Sequence, residues 1–399
     1  MDKKLTFRFW GAVLPLTAAA LFFAGPSRAC TTAVVSAEAS RTGRPMIWKQ
    51  RDMSRDFNAM AHIRGEKYAY TALVSSLKDY SRVYAGINEA GFAIANNVSY
   101  NVRPDSITTT PANGALMAEA LGVCASLDEF AVLLDVRPRP MDLSSNFAVI
   151  DAFGGAAYFE VSDTAYVRFD APKGGYLVRT NFSVSGDSDR GAGYARYETM
   201  EWQMTRKSVY DAGFFMNVGR SFVNPLAGGD ALKGRRSGYF INQDYIPRSK
   251  TTASVVIEGV AQGERPDSGL LWCAVGNTPC SYAIPVWVAS GEEMPSPVCG
   301  KAPASLLASE LKQALSPLKW PGSSEYVSVK GMRKVLAAVR KFEAVELREG
   351  AALDRKFRSS GFDPAAVREY NAAAARRFEA FRKAVEPVLK GASEASAGR

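Results

Sequence analysis

Cys30-Thr31-Thr32-Ala33-Val34-Val35-Ser36-Ala37, followed after a gap by Met46-Ile47-Trp48-Lys49-Gln50-Arg51-Asp52, is the stretch on which the fold turns. Residues 31–37 alternate apolar and small side chains, the pattern of a strand. Thr42-Gly43-Arg44-Pro45 supplies turn residues, and Met46–Lys49 resumes the strand. The two runs predict a hairpin that returns the segment around Asp52 to the side of Cys30.

What precedes Cys30 reads as a leader. Lys3, Lys4 and Arg8 form a basic start, Gly11 to Gly25 is an apolar run, and Ser27 and Ala29 occupy the recognition positions of a small-residue cleavage site. The run is short for a membrane span, and no later stretch is long and apolar enough for one. Export to the periplasm or beyond is expected, in a compartment that allows disulfides. Cleavage after Ala29 makes Cys30 the first residue. A terminal cysteine can take a lipid, which would make the chain a surface lipoprotein that binds a ligand without catalysis; Ser27 and Arg28 fit the lipid-attachment pattern poorly. It can also act as an N-terminal nucleophile, because its free α-amine, with a reference pKa of about 7.7–8.0, can take the thiol proton.

Composition favours the second reading. The chain has 399 residues and one histidine, His62, in Ala-His-Ile-Arg. A cysteine or serine mechanism that needs an imidazole base has this one candidate, and a short strand between charged residues suggests a structural role for it. The cysteines lack the spacing of a metal site, and no cofactor is expected. The formal charge of +9 is mild for this length. No basic stripe with interleaved aromatics argues for nucleic acid; solvated helix faces account for the excess.

Outward from the hairpin, strands are expected at Tyr68–Ser75, Val83–Ile87, Gly91–Asn97, Phe147–Ala152, Ala156–Val161, Thr164–Phe169, Tyr176–Asn181, Val255–Val260, Leu270–Val275 and Tyr282–Val288. Helical spacing covers Ala115–Leu134 and Ala192–Lys207. Strand blocks separated by helix blocks favour a layered α+β architecture. Beyond Pro295–Pro303 the chain turns rich in Ala, Lys, Arg, Glu and Leu. Amphipathic helices are expected at Leu306–Leu318, Gly331–Arg355 and Ala365–Leu389, the last capped by Asp363. The divisions expected are a leader over 1–29, a catalytic domain over 30–304, a helical appendage over 305–390 that packs on the core or on a partner subunit, and a loose tail over 391–399.

Four segments converge on one chemistry: Cys30-Thr31-Thr32-Ala33, Trp48-Lys49-Gln50-Arg51-Asp52, Asn88-Glu89-Ala90-Gly91-Phe92-Ala93-Ile94-Ala95-Asn96-Asn97, and Val178-Arg179-Thr180-Asn181-Phe182. In this order they resemble the choloylglycine hydrolase and penicillin acyltransferase group of N-terminal-nucleophile hydrolases, enzymes of linear amide bonds. The resemblance covers about residues 30–290. It implies a four-layer αββα sandwich of two antiparallel sheets between helical layers. It implies Cys30 as nucleophile with its own amine as base, Asp52 as the carboxylate that orients the amine, and Asn181 as an oxyanion donor, with Asn96 or Asn97 as a second. Many relatives carry an arginine three residues before the Asp; Lys49 stands there, with Arg51 adjacent to the Asp, and either cation could favour the thiolate. Arg235 and Arg236 are weak matches to a later family arginine.

The expected reaction is attack of Cys30 on an amide carbonyl, a thioester, and its resolution by water or a second amine. Bile-salt amides, penicillins, N-acyl amino acids, acyl-homoserine lactones and small peptides are all amides of this class. The remaining cysteines are Cys124, Cys273, Cys280 and Cys299. A bridge from Cys280 to Cys299 or Cys273 is expected, with Cys124 a buried thiol on an apolar helix face. A homo-oligomer is left open. A further alternative is an exported interaction protein that works through the basic C-terminal helices.

Overall fold

The computed structural model describes residues 29–103, 111–316 and 326–397. The expected leader lies outside the described residues apart from Ala29. β1 (Ala29–Val35) and β2 (Met46–Asp52) form the expected hairpin. Seven strands then lay down an antiparallel meander: β3 (Ala59–Arg64), β4 (Ala69–Val74), β5 (Ala85–Asn88), β6 (Ala93–Val98), β7 (Ser145–Ile150), β8 (Ala156–Val161) and β9 (Tyr166–Asp170). α1 (Asn113–Val123) and α2 (Leu127–Asp135) lie between β6 and β7. β10 (Tyr176–Arg179) returns to pair with β1 and is followed by α3 (Tyr194–Met204) and α4 (Ala212–Val218). Short strands β11 (Val223–Asn224), β12 (Gly229–Asp230) and β13 (Tyr239–Ile241) lead to β14 (Thr251–Glu258), β15 (Leu270–Val275) and β16 (Ile284–Trp287). The chain ends with α5 (Pro303–Leu315), β17 (Tyr326–Ser328), α6 (Val329–Ser360) and α7 (Pro364–Ala397).

The first sheet has the order β10-β1-β2-β14-β15-β16 and packs face to face on the meander. Alanines on the facing side, Ala85, Ala93, Ala95 and Ala148, are fully or almost fully buried and let the two sheets approach closely. The outer face of the meander is covered by α1 and α2, around Phe92, Phe130, Phe147 and Phe159. The outer face of the first sheet is covered by the remaining helices. Trp48 stacks on Phe215 of α4 at 5.6 Å between ring centroids, and Trp287 meets Phe357 of α6 and Tyr370 of α7 edge-on. The architecture is therefore α+β in four layers, αββα.

The C-terminal helices belong to that architecture. Leu307, Leu311, Met332, Leu336, Val339, Phe378 and Phe381 are buried in the same core as the first sheet. Gly350 marks how near α6 comes: a Cβ there would stand 2.8 Å from the Trp272 ring. The helices expected over 305–390 thus pack on the core, the first of the two alternatives, as part of the helical layer over the first sheet, and α7 runs on to Ala397, through most of the stretch expected as a loose tail. Composition alone separates 305–390 from the core because its solvent faces are strongly charged; its buried stripe is mainly apolar, with Glu343, Glu346 and Asp354 buried among the apolar residues of α6.

Two further expectations change. The helix over Ala115–Leu134 breaks at Cys124-Ala125-Ser126. Ser126 accepts the Glu129 amide and Glu129 returns a bond from the Ala125 amide, a reciprocal cap that starts a second helix. All five cysteines are free thiols, so the expected bridge from Cys280 does not form; Cys273 sits inside β15, where burial holds its thiol protonated. No helix among the described residues is long and apolar enough to cross a membrane.

Candidate active site

β1 and β2 are covered on both faces, so every one of their residues is buried, including Lys49, Gln50, Arg51 and Asp52. Burying such groups costs several kcal/mol each unless partners replace water. The register decides where each goes. Cys30 lies opposite Arg51, and Thr32 opposite Lys49, so all four side chains share one face. That face looks onto β6 and β8, because Thr32 Oγ1 donates to Asn97 Oδ1 at 2.6 Å and receives the Tyr158 hydroxyl at 2.8 Å. Asp52 alternates to the other face and lies opposite Ala29.

Asn181 follows β10, and its side chain accepts the Cys30 N–H on Oδ1 at 2.9 Å while Nδ2 donates to the Val98 carbonyl at 2.8 Å. Asn146 on β7 clamps the chain on both sides of it, donating to the carbonyls of Thr180 and Phe182. The buried Glu160 carboxylate receives Arg179 at 2.5 Å and the amides of Val184 and Ser185, which fixes the loop beyond. The cysteine nitrogen is therefore held by a segment that is itself pinned at several points.

The two cations of β2 differ in their engagement. Lys49 spends its ammonium on the Asn96 carbonyl at 2.5 Å and on Asn96 Oδ1 at 2.8 Å. Burial pushes it down to about 8, partly offset by its attraction to Cys30. Arg51 uses one nitrogen, Nη1, for Asn58 Oδ1 and Thr252 Oγ1, both at 2.9 Å, and lays its guanidinium over the Tyr84 ring at 3.8 Å. Its Nε and Nη2 are buried without a hydrogen-bond partner. Asn97 Nδ2 is likewise a buried donor without a partner, although Thr32 fixes the oxygen of the same amide.

Asp52 accepts Thr251 Oγ1 at 2.7 Å and faces Arg248 Nη1 at 3.8 Å, leaving Oδ2 without a hydrogen bond. Burial raises its pKa, against the pull of Arg248 and then Arg196. The arginine beside Asp52 is thus Arg248; Arg235 and Arg236 are exposed and take no part. Arg196, in the first turn of α3, is a further participant. It donates to the Cys30 carbonyl at 2.6 Å, to Thr31 Oγ1 at 2.8 Å and to Asn181 Oδ1 at 2.8 Å. Nothing in the sequence marks it, since an arginine in a helix reads as a surface charge. His62 sits away from this cluster on β3, against Thr71 at 3.3 Å. No group of three or more His, Cys, Asp or Glu side chains that could hold a metal occurs among the described residues.

Cys30, Lys49, Arg51, Asp52, Asn97 and Asn181 therefore come together around the start of β1. Each Asn donates or accepts where the pinned chain directs it, and the unspent valences are those of Arg51, Asp52 and Asn97.

No family model and no curated protein matches the chain. Solved structures similar to it include a mutant conjugated bile acid hydrolase from Clostridium perfringens, at 12% identity over 65% of this chain and 92% of that one, with a TM-score of 0.39. Penicillin V acylase from Agrobacterium tumefaciens follows, at 13% identity over 65% of this chain and 86% of that one, with a TM-score of 0.38. Penicillin G acylase from Alcaligenes faecalis is 10% identical over 48% of this chain and 52% of that one, with a TM-score of 0.36.

Proposed function

We propose that the chain is an exported amidohydrolase or acyltransferase that loses its leader after Ala29 and uses Cys30 to cleave a linear amide C–N bond. The observation that carries this reading is the Cys30 nitrogen held on Asn181 Oδ1 at the head of a buried strand. A nitrogen fixed there becomes, once released, an amine beside its own thiol, and no histidine is needed as base.

The thiol proton passes to the Cys30 amine and the thiolate attacks the amide carbonyl, forming a C–S bond. Asn97 Nδ2, the unpartnered donor on the facing sheet, stabilises the oxygen that gains charge. Asn181 serves as the orienting group of the amine rather than as the oxyanion donor, because both ends of its amide are engaged. The C–N bond breaks as the ammonium returns its proton to the leaving nitrogen. Water, or a second amine, then resolves the thioester. Lys49 and Arg51 supply positive charge on the thiol's side of the sheet. Lipid attachment at Cys30 is disfavoured, because the residue is only 7% exposed and its nitrogen is hydrogen-bonded.

Protein beginning at Cys30 is to be screened against bile-salt amides, penicillins, N-acyl amino acids, acyl-homoserine lactones and small peptides, with Cys30→Ser as control. Turnover and an acyl adduct on Cys30 by mass spectrometry are expected, both absent in the variant. Full activity in Cys30→Ser, or an active natural protein that starts at another residue, removes the proposal.

A further inference from the structure

We propose that Arg196 is a positioning residue for Cys30: it fixes Asn181 toward the cysteine nitrogen and, as a buried cation, keeps the released α-amine unprotonated. This rests on the amidase reading above.

The geometry is that of a three-point clamp. Arg196 is 3% exposed. Its Nη1 reaches the Cys30 carbonyl and Thr31 Oγ1, and its Nη2 reaches Asn181 Oδ1. The approach depends on Gly193, which has a φ of +87° and where a Cβ would stand 2.4 Å from Nη2. A guanidinium can only donate, so the Asn181 atom facing it must be the oxygen. The same oxygen receives the Cys30 N–H, and the far end of the amide is tied to Val98. Turning the amide over would aim its NH2 at two donors. Arg196 therefore sets the acceptor that the Cys30 nitrogen meets.

The charges around Cys30 point the same way. On β2 stand Lys49, Arg51 and Asp52; on β8, Tyr158 and Glu160, the latter paired with Arg179 of β10; before β14, Arg248; and after β6, Tyr100, which interacts with Arg196. Glu160 is spent on Arg179; Asp52, held by Thr251 and facing Arg248, also attracts Arg196, so a single carboxylate stands against the four cations Lys49, Arg51, Arg196 and Arg248. An ammonium at Cys30 would add a positive charge next to Arg196, which disfavours it and leaves the amine available as base.

The test titrates the Cys30 amine in protein beginning at Cys30, through the pH dependence of its acylation by acetic anhydride with the thiol reversibly blocked, read by mass spectrometry. Wild type is expected to titrate below the ordinary 7.7–8.0. Arg196→Gln, which keeps a donor and removes the charge, is expected to titrate about one pH unit or more higher. Arg196→Lys keeps the charge and is expected to titrate like wild type. With an acyl p-nitroanilide, the acid limb of kcat/KM should move with the amine in Arg196→Gln, and kcat should fall about tenfold without that movement in Arg196→Lys. A wild-type amine titrating at or above 8, or a glutamine variant titrating like wild type, overturns the inference. If Arg196→Gln does not fold, the wild-type and lysine titrations decide. Unchanged turnover in Cys30→Ser would instead overturn the amidase reading, and the amine titration would still judge Arg196.

Discussion

Two buried charged clusters flank the first sheet, and they are finished differently. Under α6, Arg220 donates through Nε to the Thr278 carbonyl, through Nη1 to the Met216 carbonyl and Glu343, and through Nη2 to the Ser281 carbonyl and Glu343; the carboxylate also takes the Ala283 amide. At the head of β1, Arg51 leaves Nε and Nη2 unmatched, Asp52 leaves Oδ2, Arg248 leaves Nε and Asn97 leaves Nδ2. Both clusters bear the cost of dehydrating charge, but the first recovers it in hydrogen bonds at every donor of Arg220 while the second recovers it only in part. A saturated cluster fixes a helix on a sheet. An unsaturated one leaves donors and acceptors open, and Cys30 stands among them.

The contrast is broken most directly at Glu343. Glu343→Ala strands the Arg220 guanidinium in the core, and a loss of about 3–5 kcal/mol in chemical denaturation is expected. The kcat/KM of the protein that remains folded should not change. Loss of turnover in a fully folded Glu343→Ala protein would show that the two clusters are one system.

Asn97→Ala should reverse that pattern. It removes a buried donor with no partner and leaves the Thr32 hydroxyl to its second acceptor, the Arg179 carbonyl at 3.4 Å. Stability is expected to change by less than about 1 kcal/mol, while kcat falls by about 10²–10³, the usual effect of deleting one oxyanion donor. A fall in KM alone, or a stability loss matching that of Glu343→Ala, counts against the role given to Asn97.

Arg51→Met sharpens the same point at a smaller scale. The variant exchanges a partly satisfied buried cation for an apolar side chain, so stability is expected to hold or rise. Thiol alkylation by iodoacetamide near pH 7 should slow about tenfold as the thiolate loses a nearby cation. An alkylation rate equal to that of wild type would assign Arg51 to Asn58, Thr252 and Tyr84 alone.

How much of this the sequence discloses depends on the range of the contact. The β1–β2 hairpin is legible because its pattern and its turn are local, and β8 and β15 fall on the very residues that periodicity marks. Periodicity misses the break between α1 and α2 in favour of one helix over Ala115–Leu134, although Ser126-Leu127-Asp128-Glu129 carries the capping spacing. Cys30 and Asn181 stand out through motifs, yet the bond between them spans 151 positions. Arg196, Arg248, Asn146 and Glu160 carry no local signal at all. They acquire meaning from strand order, which places β10 beside β1 and β8 across from it.

Lys49 gives the finest comparison, because it belongs to the open cluster but has found partners. Its folded-state pKa is about 8, against an ordinary 10.5, with burial the leading cause. Below about pH 8 the ammonium is charged in both folded and unfolded chains, and the folded state carries the full cost of burying it. Between about 8 and 10.5 the folded chain gives up its proton while the unfolded chain keeps it, so the unfolded state binds more protons and this residue's contribution to stability rises with pH. Lys49→Met should therefore flatten that rise in urea midpoints measured across the window. Activity is expected to move oppositely, since deprotonation of Lys49 removes a positive charge from the thiol's side of the sheet. Lys49→Arg, which stays charged, should carry the alkaline limb of kcat about one pH unit beyond that of wild type. An alkaline limb identical in wild type and Lys49→Arg would mean that Asn96 alone is the reason for a lysine at this position.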